Sequence, residues 1–145
     1  MKNHKQKNKK AKNSQKNKSR LQYYDIDIFD TKFFLATSRK MFNEMQKIMK
    51  IEKINRTKIT KDEDTFGICK HIGVSRGRSN VIIIVGVFDK KITTLVHETM
   101  HAIRCMLECR SIDMSTYSGN EIAAYSQEKL FEKFYKHIDN KRYSK

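Results

Sequence analysis

His97, Glu98 and His101 form the pattern H-E-x-x-H, inside a stretch whose apolar residues recur at helical spacing. Two residues four apart on a helix are offset by about 40° around the axis and about 6 Å along it. Both imidazoles therefore leave one face and can converge on a single metal ion. Glu98 sits roughly 100° round from His97, within reach of a metal-bound water without being a ligand itself. Two neutral nitrogens, an open position and an adjacent carboxylate base are what a hydrolytic zinc site requires.

Two histidines do not complete such a site, because a catalytic zinc commonly has three protein ligands plus water. The downstream candidates are Glu108, Asp113, Glu121, Glu128 and His137. Glu121 is favoured: it lies twenty residues after His101, where a following helix would begin. A short connection would fold that helix back over the histidine pair. A second role competes for the same carboxylate. Ser118-x-x-Glu121 is a capping-box pattern, in which Glu reaches back to the Ser118 backbone N–H. If Glu121 caps the helix, Asp113 or Glu128 must complete the site.

The elements that would position these residues follow from periodicity. Residues 21–29 alternate loosely and suggest a short strand. Asp30 or Thr31 is read as the cap of a helix reaching about Asn55, with Phe34, Met41, Met45, Ile48 and Met49 inward. Thr65–Val74 alternates as a half-buried strand. Residues 75–80 form a turn around Gly77. Val81–Val87 (VIIIVGV) is β-branched and apolar throughout, as expected of a strand covered on both faces. These last two strands are expected to form an antiparallel hairpin. Asp89 is read as capping the helix that carries H-E-x-x-H, from about Lys90 to Cys109. A final helix spans about Gly119–Ile138. The order implies an α+β domain with a small antiparallel sheet, an active-site helix and a ligand helix.

Residues 1–20 hold eight Lys and one Arg and no acidic residue. They carry nine of the chain's fifteen net positive charges. Such a segment cannot bury enough apolar surface to offset its ordering entropy, so it reads as a disordered basic tail, suited to nonspecific contact with nucleic acid or another polyanion. The domain proper is then 21–145. No apolar window reaches the length of a membrane span, and the tail lacks the apolar stretch of a secretory signal. The three cysteines, Cys69, Cys105 and Cys109, argue against a disulfide framework and for a reducing, intracellular setting. The four-residue spacing of Cys105 and Cys109 could suit a metal, but buried packing is the favoured reading. His71 and His137 read as ordinary surface or boundary residues.

H-E-x-x-H followed about twenty residues later by N-E-x-x-A (Asn120–Ala124) resembles the gluzincin, thermolysin-like branch of zinc metallopeptidases. It also resembles short H-E-x-x-H proteins of tailed bacteriophages, in which an E-x-x-A-Y helix follows the histidine pair. The resemblance implies one Zn²⁺ held by His97, His101 and Glu121, Glu98 as general base, and a peptide or protein substrate in the cytoplasm, the host cytoplasm for a phage protein. Four positions beyond Glu121, where thermolysin-like enzymes have an acidic residue, this chain has Tyr125. Tyr125, with Tyr117 beside it in rank, is the candidate oxyanion donor. Alternatives are a nucleic-acid-associated zincin similar to SprT-like proteases, which use a third His, and a non-catalytic binding protein acting through its basic tail.

Overall fold

A computed structural model describes residues 23–26, 29–61, 63–72 and 81–138. The chain is an α+β domain. It runs β1 (Tyr23–Ile26), β2 (Thr31–Ala36), α1 (Arg39–Ile48), a 3₁₀ turn (Lys53–Asn55), β3 (Gly67–Ile72), β4 (Val81–Val87), α2 (Ile92–Cys109) and α3 (Tyr117–Ile138). The four strands lie in the order β1-β2-β4-β3. β1 and β2 are antiparallel, β2 and β4 parallel, and β3 and β4 antiparallel, with Gly67 opposite Val87 and Ile72 opposite Ile82. The antiparallel pairing of β3 and β4 expected from the sequence is present, while the turn expected around Gly77 lies outside the described residues. The sheet as a whole is mixed, because β2 meets β4 in parallel rather than antiparallel.

Both faces of the sheet are covered. Phe33, Leu35, Val81, Ile83, Val85 and Val87 pack with Leu95, Ile103, Met106 and Leu107 of α2 and with Leu130 and Phe134 of α3. The alternate residues Ala36 and Ile84 pack with Phe42 and Met45 of α1 and with Ile59. Successive strand residues point to opposite faces, so β4 and the second half of β2 (Phe33–Ala36) are apolar at successive positions. The unbroken VIIIVGV run is the direct consequence. The same burial hid β2 from a periodicity reading. Thr31–Ala36 (TKFFLA) is a strand and not the first turns of a helix, and the helix begins only after Ser38. Ser38, not Asp30 or Thr31, is its cap: Ser38 Oγ accepts from the Met41 N–H at 3.1 Å.

The helix carrying H-E-x-x-H starts at Ile92. Lys91, not Asp89, is its N-cap, and no side chain caps it; Asp89 instead braces the preceding turn, Oδ1 accepting from the Lys91 N–H at 3.0 Å and Oδ2 from Thr94 Oγ1 at 2.8 Å. α3 is capped by Thr116, whose Oγ1 accepts from the Gly119 N–H at 3.0 Å. Ser118 therefore sits inside the helix, and the capping box with Glu121 is not its start signal. No helix among the described residues is long and apolar enough to cross a membrane. The basic segment 1–20 lies outside the described residues.

Candidate metal centre

His97 and His101 leave α2 on its exposed face. Their Nε2 atoms are 3.1 Å apart and the rings meet edge to face at 81°. Two nitrogens bound at 2.0–2.1 Å to one tetrahedral zinc lie about 3.3 Å apart. The pair thus sits close to the spacing one ion demands, and its donor chemistry fits zinc.

Glu98, one residue on, turns inward and is only 7 % exposed. It lies against β3 at Gly67. A Cβ at position 67 would come within 2.7 Å of Glu98 Cγ, Glu98 Oε1 and Thr94 Cγ2. The missing side chain is what lets the carboxylate rest between strand and helix. Burial pushes the Glu98 carboxyl above its ordinary pKa, and the charges of His97 and His101 pull it partly back. A buried carboxyl with a raised pKa is suited to proton transfer.

The groove in front of Glu98 has a volume of about 410 Å³ and is lined by Ile68, Cys69, His71, Glu98, His101 and Cys105. One wall is β3. Among the described residues β3 pairs only with β4, so its outer edge is free. The edge available to an extended peptide beside this groove is therefore that of β3. Cys69 is not a nucleophile in this groove. Burial, with Cys105 and Glu98 beside it, pushes its thiol up to about 12, so it stays protonated at neutral pH.

α3 approaches α2 from the other side. Gln127 Nε2 donates to Thr99 Oγ1 at 2.8 Å and to the Val96 carbonyl at 3.3 Å. At about 100° per residue, Thr99 points roughly 160° away from both His97 and His101. Glu121, on α3 and exposed, is not gathered with the imidazole pair. Among the described residues, one set of three potential ligands has its donor atoms mutually within 4.8 Å, and it is His71, Cys105 and Cys109.

The other carboxylates are occupied elsewhere. Glu108 pairs with Arg104 at 2.8 Å. Asp113 accepts from the N–H and Oγ of Ser115, which hold its carboxyl below the ordinary range. Glu128 lines a separate groove between α2 and α3. His137 is half-buried near the end of α3, and burial lowers its pKa. Tyr125 and Tyr117 are 48 % and 82 % exposed. The Tyr125 ring lies under Lys129 Nζ at 4.6 Å, and neither tyrosine lines the groove.

Comparison with protein-family models, curated proteins and solved structures gave no match. The site is therefore read from its own chemistry.

The His71–Cys105–Cys109 cluster was not anticipated. Cys105 does pack on the core, but Cys109 is exposed and its Sγ lies 3.6 Å from His71 Nε2. This His/Cys/Cys cluster could hold a metal ion. The cysteine spacing was visible in the sequence. The histidine, 38 residues upstream, is brought in by the β3–α2 packing alone.

Proposed function

We propose that this chain is a small zinc-dependent peptidase whose reacting centre is His97, Glu98 and His101. The observation that carries the reading is the convergence of two Nε2 atoms at 3.1 Å beside a buried carboxylate, with Glu98 and His101 lining a groove walled by the edge strand β3. His97 and His101 would hold the ion, whose chemistry is to polarise the scissile carbonyl and lower the pKa of water from 15.7 towards about 7.

The chain's own residues do the rest. Glu98 takes the proton of the attacking water on a carboxylate oxygen and returns it to the leaving amine nitrogen. Gly67 and Thr94 fix where the carboxylate lies. The outer N–H and C=O groups of Gly67–Ile72 can pair with an extended peptide, laying it across the groove by strand addition. Of the three ligands that the motif order suggests, the convergence of His97 and His101 supports two, and Glu121 forms no three-donor group with them within 4.8 Å.

The test is cleavage of a mixture of unfolded peptides by the zinc-loaded full chain, with products read by mass spectrometry. Glu98→Gln is expected to retain zinc and lose about 10²–10⁴-fold in rate. His101→Ala is expected to lose zinc. A wild-type chain that binds no zinc, or a Glu98→Gln variant that cleaves at the wild-type rate, overturns the reading.

A further inference from the structure

The structure assigns a second metal site, of soft donor character, to His71, Cys105 and Cys109. It does not depend on the peptidase reading, since neither His97 nor His101 belongs to it. Three observations converge.

Cys105 and Cys109 are four apart on α2, so their sulfurs leave the same stripe of the helix. That stripe faces β3. Gly67, Cys69 and His71 alternate onto the β3 face that meets α2, Gly67 against Glu98 and Thr94, and His71 against Cys109. The three donor atoms then lie within 4.8 Å of one another.

The spacing also suits a metal. Zinc binds thiolate sulfur at about 2.3 Å and imidazole nitrogen at 2.0–2.1 Å, which puts a tetrahedral S···N pair about 3.5 Å apart. The His71 Nε2 to Cys109 Sγ separation is 3.6 Å. Finally, the site opens to solvent: His71 and Cys109 are exposed and Cys105 half-buried. An ion can enter, and a fourth position stays open for water or an external ligand.

Two thiolates and one imidazole select zinc and other thiophilic ions over magnesium or calcium. Binding breaks two S–H bonds, forms two metal–sulfur bonds and releases two protons to solvent, with no change of oxidation state. The ion would tie the end of the free edge strand to the C-terminal half of α2. Because Cys105 lies one turn beyond His101 and both line the same groove, a metal there also fixes the far wall of that groove.

The experiment is titration of the metal-free, reduced full chain with Co²⁺, read by absorption. Thiolate-to-cobalt charge transfer in the near ultraviolet reports sulfur ligation. A nitrogen and oxygen site does not give it. The band is expected in wild type and in the His97→Ala/His101→Ala double variant, and is expected to vanish in Cys105→Ser/Cys109→Ser. Alkylation followed by mass spectrometry gives a second readout on unmutated protein: Zn²⁺ is expected to slow modification of Cys109 at least tenfold. Absence of the charge-transfer band in wild type, its survival in the double serine variant, or Cys109 alkylation indifferent to Zn²⁺ overturns the assignment. Loss of peptidase activity in His97→Ala/His101→Ala with the band intact separates the two sites.

Discussion

A methyl group at position 67 would stand 2.7 Å from Glu98 Cγ and Oε1, closer than packed atoms come. The cheapest relief is rotation of the Glu98 side chain away from the strand. Gly67→Ala is therefore expected to lower peptide hydrolysis at least tenfold while leaving zinc affinity within about threefold, at an overpacking cost of about 1–3 kcal/mol. Rate and metal content measured on the same preparation check it. Glu98 also sets a pH dependence. Burial holds its folded-state pKa above the unfolded value. The stability that the protonated carboxyl contributes is thus fully present below the unfolded pKa and is lost as pH rises through the folded one. Metal-free Glu98→Gln is expected to melt higher than metal-free wild type at neutral pH, with the gap closing below the carboxylate range. Thermal melts across that range decide it. At this scale the sequence was partly legible. His97, Glu98 and His101 announce themselves because their geometry is local to one helix. Gly67 and His71 do not, because their roles exist only once a strand lies beside that helix.

Elements were legible where burial is one-sided or continuous. β4, α2 and α3 emerged near their observed bounds because VIIIVGV and two long amphipathic patterns leave little choice. β2 and α1 were merged because Phe33 and Leu35 face α2 and α3, whereas Phe34 and Ala36 face α1. A strand buried on both sides shows no alternation, and its apolar residues then mimic the start of the helix that follows. The true boundary is a single hydroxyl. Ser38→Ala removes the bond from the Met41 N–H and is expected to destabilise the domain by about 1 kcal/mol, a fall of about 4 °C in melting temperature. A melting temperature unchanged by the substitution would show that α1 is held by Phe42 and Met45 packing alone. α3 starts under tighter constraint, since a Cβ at Gly119 would sit 2.0 Å from the Asp113 carbonyl oxygen. That contact with backbone can be relieved only by moving the turn before α3.

At the scale of the molecule, what matters is which flank of α2 each neighbour takes. β3 lies along the stripe carrying Glu98, Cys105 and Cys109, while α3 takes the Val96–Thr99 flank through Gln127. Sequence order alone suggested that α3 would return over the histidines, since a short connection makes antiparallel neighbours. It does not say on which side the second helix docks. Burial of Leu130 and Phe134 in the sheet-facing core decides that, and Glu121 is not gathered within 4.8 Å of the imidazole nitrogens. The arrangement makes a sharp prediction about the ligand set. Glu121→Ala is expected to bind zinc within about threefold of wild type, whereas His101→Ala is expected to lose at least a hundredfold, since it removes one of only two converging nitrogens. Competition against a chromophoric zinc chelator gives both affinities, with Cys105→Ser/Cys109→Ser as background so that the thiolate cluster does not mask the loss. Equal losses in Glu121→Ala and His101→Ala would mean that α3 leaves the Thr99 flank when metal binds. The Gln127–Thr99 contact would then have to break, and Gln127→Ala would tighten zinc binding instead of leaving it unchanged.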